Sequence, residues 1–282
     1  MIIVMQGTGQ LCNRLVFLVH ALATALDARQ SLVHFFARDV FSFSDTHPEA
    51  ISECRIRCFR FRFPKIINAA ELWLMGLDSF SRRYYLANAR RIHNIATQRF
   101  PKVHVLWNWF FRNDDAIVRH RNAICAYLKA SDKHMVRPME VVSKLRKKGT
   151  VLVGVHIRRG DYRTFNGGRF FFSDEEYSCF MRQFKESSAQ HVQFLIVSNE
   201  CVSPKVFCKA GLDVYFSRGT PQEDILCLSL CDYILGPVST FSWFAAYYGG
   251  KPYRAIYAHE DKTTMDTFGR VSGPEIMTDK WA

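Results

Sequence analysis

No Cys-x-x-Cys pair occurs in the chain, and its nine cysteines stand singly along the sequence. That spacing offers neither a zinc ribbon nor a thioredoxin-like redox centre. Cys54/Cys58 and Cys227/Cys231 are each four apart, which on a helix is simply one face, so reduced and mostly buried thiols are expected. No stretch reaches the roughly 18 uncharged apolar residues of a membrane span. The most apolar helical candidate, Leu15 to Leu26, is short and carries His20, so it reads as a core helix. The opening Met1 to Gln6 runs straight into a strand-like apolar segment and has no basic n-region or cleavage site of a secretory signal. Internal repeats and low-complexity linkers are also missing. A soluble cytoplasmic protein is the expectation.

What is present is ordinary globular material with an excess of positive charge. Hydrophobic residues make up 48% and charged residues 23%, and the net charge is +12. Such a charge favours anionic partners, whether nucleotide phosphates, anionic membrane surfaces or nucleic acid, without choosing among them. The cations crowd into Arg55 to Arg62 and Arg82 to Arg99, interleaved with Phe59, Phe61, Phe63, Tyr84 and Tyr85. Interleaving of this kind lines single-strand nucleic-acid grooves. Strict alternation in Phe59 to Phe63 equally describes a half-buried strand, which is the reading we adopt.

The chain is long enough for two domains. Strand Ile2 to Met5, the turn Gly7-Thr8-Gly9, helix Asn13 to Ala28 and strand Leu32 to Phe36 form a βαβ opening. This unit implies a parallel sheet with a ligand crevice at the strands' carboxyl ends. Then follow a strand near Ile56 to Phe63, helical stretches at Ile66 to Leu77 and Arg82 to Ile95, and a strand at Val103 to Trp107. Helices Asp115 to Lys129 and Pro138 to Lys147 close the first half. Lys144 to Lys148, stopped by Gly149, carries a complete helix-termination signal and marks the boundary between 1–149 and 150–282. From Thr150 on, strands and helices alternate: strands at Val151 to Ile157, Gln193 to Val197, Asp213 to Tyr215, Tyr233 to Leu235 and Tyr253 to Tyr257, with helices at Asp174 to Glu186, Gln222 to Leu230 and Phe241 to Gly249. This is a second doubly wound α/β unit.

Two segments carry chemistry. His156-Ile157-Arg158-Arg159-Gly160-Asp161-Tyr162 ends an apolar strand in two arginines, the planar, always-charged donors that a diphosphate needs at a crevice. Alternation sends adjacent side chains to opposite faces, so one arginine can grip phosphate while the other is buried against a carboxylate; an ion pair with Asp161 is the structural alternative. The second segment is a helix from Gln222, a buried strand, and a Pro237-containing turn that presents Ser239 and Thr240 at a helix start. Hydroxyls and free amides there bind phosphate, though Ser239 or Thr240 can also be a plain N-cap.

These residues resemble the signature motifs of the α-1,2-fucosyltransferases of glycosyltransferase family 11: the His156 to Tyr162 run, Ser239-Thr240-Phe241-Ser242-Trp243, and Gly9-Gln10-Leu11-Cys12-Asn13-Arg14-Leu15, which is similar to the family's Gly-x-x-x-Asn-Gln-Leu loop. The likeness runs in order along the chain and is densest from Val151 to Gly250. It implies an α/β, GT-B-like fold, two Rossmann-like halves facing a central cleft, with the acceptor side in 1–149 and the GDP-sugar side in 150–282. It further implies inverting transfer of L-fucose from GDP-fucose to a galactoside hydroxyl. By this likeness Arg158 holds the β-phosphate and offsets leaving-group charge. His156 and Asp224 lie near the guanine, Ser239 and Thr240 on the pyrophosphate, and Arg159 and Phe241 complete the donor set. Asp161 and Asn13 join Arg158 as catalytic candidates, Asp161 as a general base and Asn13 on the acceptor side. A carboxylate suits guanine, whose N1 and N2 groups both donate; at a helix start, Asp224 can also simply complement the dipole.

No Asp-x-Asp loop for a divalent ion occurs, and Asn113-Asp114-Asp115 reads as a helix cap, so no metal and no cofactor beyond the donor substrate are expected. The acceptor is expected to be an oligosaccharide or a lipid-linked glycan, with peripheral contact to an anionic membrane and no nucleic acid. Three departures stand out: Arg14 for the family's glutamine, Ser198-Asn199-Glu200 for Ser-Asp-Asp, and Phe244 for a second tryptophan. The first touches the acceptor side, and the second could weaken a contact near the nucleotide. Transfer of another sugar or linkage, a basic nucleotide- or nucleic-acid-binding protein without transfer activity, and an inactive transferase are the alternatives.

Overall fold

The structure, a computed structural model, describes residues 1–4, 9–35, 42–44, 48–59, 104–106 and 111–271. The helices expected at Ile66 to Leu77 and Arg82 to Ile95, and Arg60 to Phe63, lie outside the described residues. The chain divides into two compact units, Met1–Lys129 and Ala130–Ala282.

In the first unit a five-stranded sheet has the order β3-β4-β2-β1-β5, formed by β1 (Ile2–Val4), β2 (Leu32–His34), β3 (Ala50–Ile51), β4 (Cys54–Cys58) and β5 (His104–Leu106). β1 runs parallel to both β2 and β5, and only the β3–β4 pair is antiparallel. Cys54 and Cys58 therefore lie on a strand, where even spacing puts them on one side of the sheet. On β4 the alternation is visible: Cys54 and Ile56 are buried while Arg55 and Arg57 face solvent. Helix α1 (Leu11–Asp27) is buried nearly all round from Leu15 to Ala25.

The helix expected from Asp115 to Lys129 is broken in two, α2 (Asp114–Arg119) and α3 (Arg121–Tyr127), at His120. The break is tertiary in origin. Asp27, at the end of α1, takes His120 Nε2 at 2.7 Å and also pairs with Arg119. Asn113 precedes α2 but does not cap it. Its side-chain amide donates to Thr24 Oγ1 (3.0 Å) and its backbone N–H to His20 Nδ1 (3.0 Å).

The second unit begins one helix earlier than the termination signal at Gly149 suggests, because α4 (Asp132–Leu145) packs into it through Val141, Val142 and Leu145. α4 starts at Asp132, not Pro138. Pro138 sits buried inside the helix, where its missing N–H and ring ordinarily break one. The other elements are β6 (Thr150–Ile157), α5 (Asp174–Ser187), β7 (His191–Ser198), α6 (Pro204–Lys209), β8 (Asp213–Phe216), α7 (Pro221–Leu230), β9 (Tyr233–Pro237), α8 (Thr240–Gly249), β10 (Pro252–Ile256) and β11 (Gly269–Arg270). α6 has no counterpart in the sequence reading. α5 and α7 both open on capping boxes, Ser173 with Glu176 and Thr220 with Glu223, and Pro221 fills the first turn of α7.

The six strands take the order β11-β10-β9-β6-β7-β8, all parallel except β11. β6 is buried on both faces. Its odd residues, Val151 to Ile157, pack with Tyr177, Phe180, Met181 and Phe184 of α5. Its even residues face the other layer: Leu152 joins Val141, Val142, Cys227 and Cys231, and a Cβ on Gly154 would stand 2.7 Å from Leu228. This two-faced alternation decides which side of the sheet each residue of the arginine motif serves.

α7 and α8 cross so closely that a Cβ on Gly249 would lie 2.2 Å from the Ser229 carbonyl oxygen. Backbone cannot yield as a side chain does, so Gly249→Ala is expected to cost about 3 kcal/mol, at the upper end of ordinary overpacking. A thermal melt checks this. A Tm equal to that of wild type would mean that α7 and α8 can part at this crossing without loss.

Candidate active site

In the second sheet the chain winds outward in both directions from β6, through β7 and β8 on one side and β9 and β10 on the other. That reversal makes the carboxyl ends of β6 and β9 a topological switch point, where doubly wound sheets open a crevice. Both chemistry-bearing segments end there: the arginine motif leaves β6, and Pro237-Val238-Ser239-Thr240 leaves β9 for α8.

His156 lies on the even face of β6 toward α8. It is 3% exposed, its Nδ1 is 2.8 Å from Ser242 Oγ, and its ring lies 4.7 Å from that of Phe241. Gly236 makes room, since a Cβ there would meet Ser242 Oγ at 2.7 Å and His156 Cβ at 3.1 Å. Burial, reinforced by the Arg158 charge, holds the imidazole down to about 3, so the ring is neutral in the physiological range. It brings hydrogen bonding to the crevice without charge.

Both arginines carry a carboxylate. Arg158 grips Asp161 in bidentate fashion, Nε to Oδ1 and Nη2 to Oδ2, each 3.0 Å. Arg159 follows the odd parity of β6 to the α5 side. There its buried guanidinium donates to Asp174 at the first turn of α5 (2.5 Å), and Asp174 also accepts from the Ser203 N–H (3.0 Å). The Arg159 side chain thus serves as a buried tie between loop and helix. Arg158 shares its parity with His156, on the crevice side.

The loop is pinned from several directions. Asn199 Oδ1 accepts from the Arg159 N–H (2.8 Å) and its amide donates to the Arg159 carbonyl (3.4 Å), a pair of bonds that an aspartate cannot make. Gly160, at φ +60°, passes over that amide, and an added Cβ would stand 3.0 Å from Asn199 Nδ2. Glu200 takes Arg163 at 2.7 Å. The Ser198-Asn199-Glu200 departure therefore builds the seat of the arginine loop.

Ser239 is the N-cap of α8 and accepts from the Phe241 N–H at 3.2 Å. Its hydroxyl also hydrogen-bonds the phenol of Tyr162. Thr240 is the first residue of α8, so the amides of that first turn, more than the Ser239 hydroxyl, face the crevice end. Asp224, in the first turns of α7, takes the Ser217 hydroxyl beside Gly219, and burial raises its pKa. It belongs to the same carboxyl edge and the same layer as α8.

Asn13 belongs to the first unit, in the opening turn of α1 after β1. Gly9, at φ +89°, folds back so closely that a Cβ would stand 2.9 Å from both Asn13 Cβ and Nδ2. Tyr162, Ser242 and Asn199 were not assigned roles from sequence. Tyr162 and Ser242 stand inside the two motifs, which was the available signal. Among the described residues no group of three His, Cys, Asp or Glu is placed to hold a metal ion, no helix is long and apolar enough to cross a membrane, and all nine cysteines are free.

No curated protein matches the sequence. Among solved structures, the chain is similar to NodZ α-1,6-fucosyltransferase soaked with GDP-fucose, at 15% identity over 90% of this chain and 94% of that one, with a TM-score of 0.58. It is similar to fucosyltransferase NodZ from Bradyrhizobium at 14% identity over 87% and 91%, TM-score 0.56. POFUT1 in complex with GDP-fucose matches at 11% identity over 95% and 97%, TM-score 0.56. What these chains share with it is the GT-B-like α/β fold. The sequence model of Glycosyl transferase family 11 matches residues 90–268, more than half of the chain and including both motifs of the switch point, so the protein belongs to glycosyl transferase family 11.

Proposed function

We propose that the protein transfers L-fucose from GDP-fucose, with inversion, to a galactoside hydroxyl of a glycan in α-1,2 linkage. The observation that carries the donor reading is that the Arg158 loop and the turn into α8 leave the adjacent strands β6 and β9 at the switch point and are joined through Tyr162, which offers a cation and a helix N-terminus to one diphosphate. Family membership, the complex of POFUT1 with GDP-fucose and the NodZ structure soaked with GDP-fucose support it.

In this reading Arg158 binds the β-phosphate and offsets the negative charge that builds on GDP as the glycosidic bond breaks. The first-turn amides of α8, with Thr240, take the remaining phosphate oxygens. The half-buried Asp224 accepts from guanine N1 and N2, while His156 and Phe241 border the nucleotide. Arg159 acts indirectly, by holding the loop. Asp161 acts through Arg158, its carboxylate being committed to that guanidinium, and Asn13 serves the acceptor.

Calorimetric titration with GDP, UDP and ADP in EDTA tests the donor class. Selective, saturable binding of GDP is expected. A preference for UDP, or no nucleotide binding, would sink the reading.

A further inference from the structure

Tyr162 is buried inside the arginine motif, and its contacts reach both its own loop and the turn that leaves β9. Its hydroxyl donates to the Val238 carbonyl at 2.7 Å, across the switch point from its own loop. Burial pushes the phenol up to about 12, against a smaller lowering by the hydrogen bond from the Ser239 hydroxyl to the same phenol oxygen, so the phenol stays protonated and able to donate. Ser239 in turn accepts from the Phe241 N–H at 3.2 Å. The ring of Tyr162 meanwhile lies 5.6 Å from the Arg158 guanidinium carbon, within cation–π range, and stacks on Phe165 at 5.5 Å. A continuous chain of contacts therefore runs from Arg158, through Tyr162 and Ser239, to the first turn of α8.

We infer that Tyr162 is a positioning residue that locks the arginine loop to the amino end of α8, so that the two elements gripping the donor diphosphate are held as one preorganised unit. The inference rests on the GDP-fucose reading and deepens it. A pair of donor groups on separate loops must be ordered when the ligand arrives, and that ordering weakens binding; a tie made beforehand removes the loss.

The fold supplies a matched control. Tyr253 on β10 is also buried and donates its hydroxyl to the neighbouring carbonyl of Pro237 at 3.0 Å, so the end of β9 receives two phenols on adjacent residues. Tyr162→Phe and Tyr253→Phe each delete one buried phenol–carbonyl bond and are expected to lower the Tm alike. Only Tyr162→Phe is expected to weaken GDP, by about tenfold, and to lower kcat for GDP-fucose hydrolysis. Ser239→Ala cuts the same chain from its other end. It is expected to weaken GDP as well, with the double variant Tyr162→Phe/Ser239→Ala no worse than the poorer single one, because coupled residues do not add. GDP binding by Tyr162→Phe that equals wild type, or an equal loss in Tyr253→Phe, would overturn the inference and leave the donor reading standing. Failure of the wild type to bind GDP would overturn both.

Discussion

Arg158→Ala is expected to lower kcat/KM for GDP-fucose by about 10²–10³-fold, the loss that follows removal of one preorganised donor aimed at developing charge. Most of the loss should fall on kcat, because charge on the leaving GDP is larger in the transition state than in the bound donor. Arg158→Lys should recover little. Lysine is a point charge on a flexible stem and cannot reproduce a planar fork held by Asp161 on one edge and by the Tyr162 ring on its face. Asp161→Asn should move activity in the same direction by less, since the guanidinium stays but loses its bidentate rest. The measurement is steady-state turnover of GDP-fucose, with water as acceptor where no glycan is in hand. If Arg158→Ala stays within about threefold of wild type, far below the range for such a donor, the charge on the leaving group is met elsewhere. Arg159 provides the contrast, for its guanidinium is spent on Asp174. Arg159→Ala is therefore expected to act through stability and loop order.

How much of this could be read from the sequence follows from how local each signal was. Apart from α6, the strands and helices from β6 to β10 were legible because each is announced nearby, by an apolar run of β-branched residues or by capping boxes such as Thr220 with Glu223. The parity rule even anticipated that Arg158 and Arg159 would part to opposite layers. α6 was missed although Ser203-Pro204 is a serviceable start signal; six residues are too few for periodicity to show. The break at His120 could not be read locally, since its cause is Asp27, far away in sequence. α4 was started late because Pro138 looks like a first-turn proline; burial of its ring and of Val141, Val142 and Leu145 overrides the local preference. The same limit applies to the site. The motif residues stand out in the sequence, but the Asn199, Ser242 and Tyr162 contacts each join segments about 40 or more residues apart. No pattern within one segment can reveal a partner in another.

Acid should destabilise the protein from about pH 6.5 downward, through His156. The sign follows from the direction of its shift. The unfolded imidazole takes up a proton near its usual 6.5, whereas the folded one, held down to about 3, does not. The unfolded state therefore binds more protons below pH 6.5, so stability is fully present above that value and falls as pH drops toward the folded value. One proton corresponds to about 1.4 kcal/mol per pH unit, hence roughly 3 kcal/mol by pH 4.5. His20, buried in α1 and lowered for the same chief reason, pushes in the same direction. Asp114, raised to about 6 by burial, works the opposite way, since its folded carboxyl takes up a proton before the unfolded one does. Being partly solvated, it offsets only part of the loss. Urea midpoints from pH 8 to 4.5 test this, with His156→Gln as the comparison. The variant can be less stable at every pH, but its slope below 6.5 should be shallower by about one proton. Parallel slopes in the two proteins would mean that the His156 ring does take up its proton in the native state. In that case a cation, not a neutral ring, would border the Arg158 crevice, and the electrostatics of donor binding would have to be rebuilt around two positive groups.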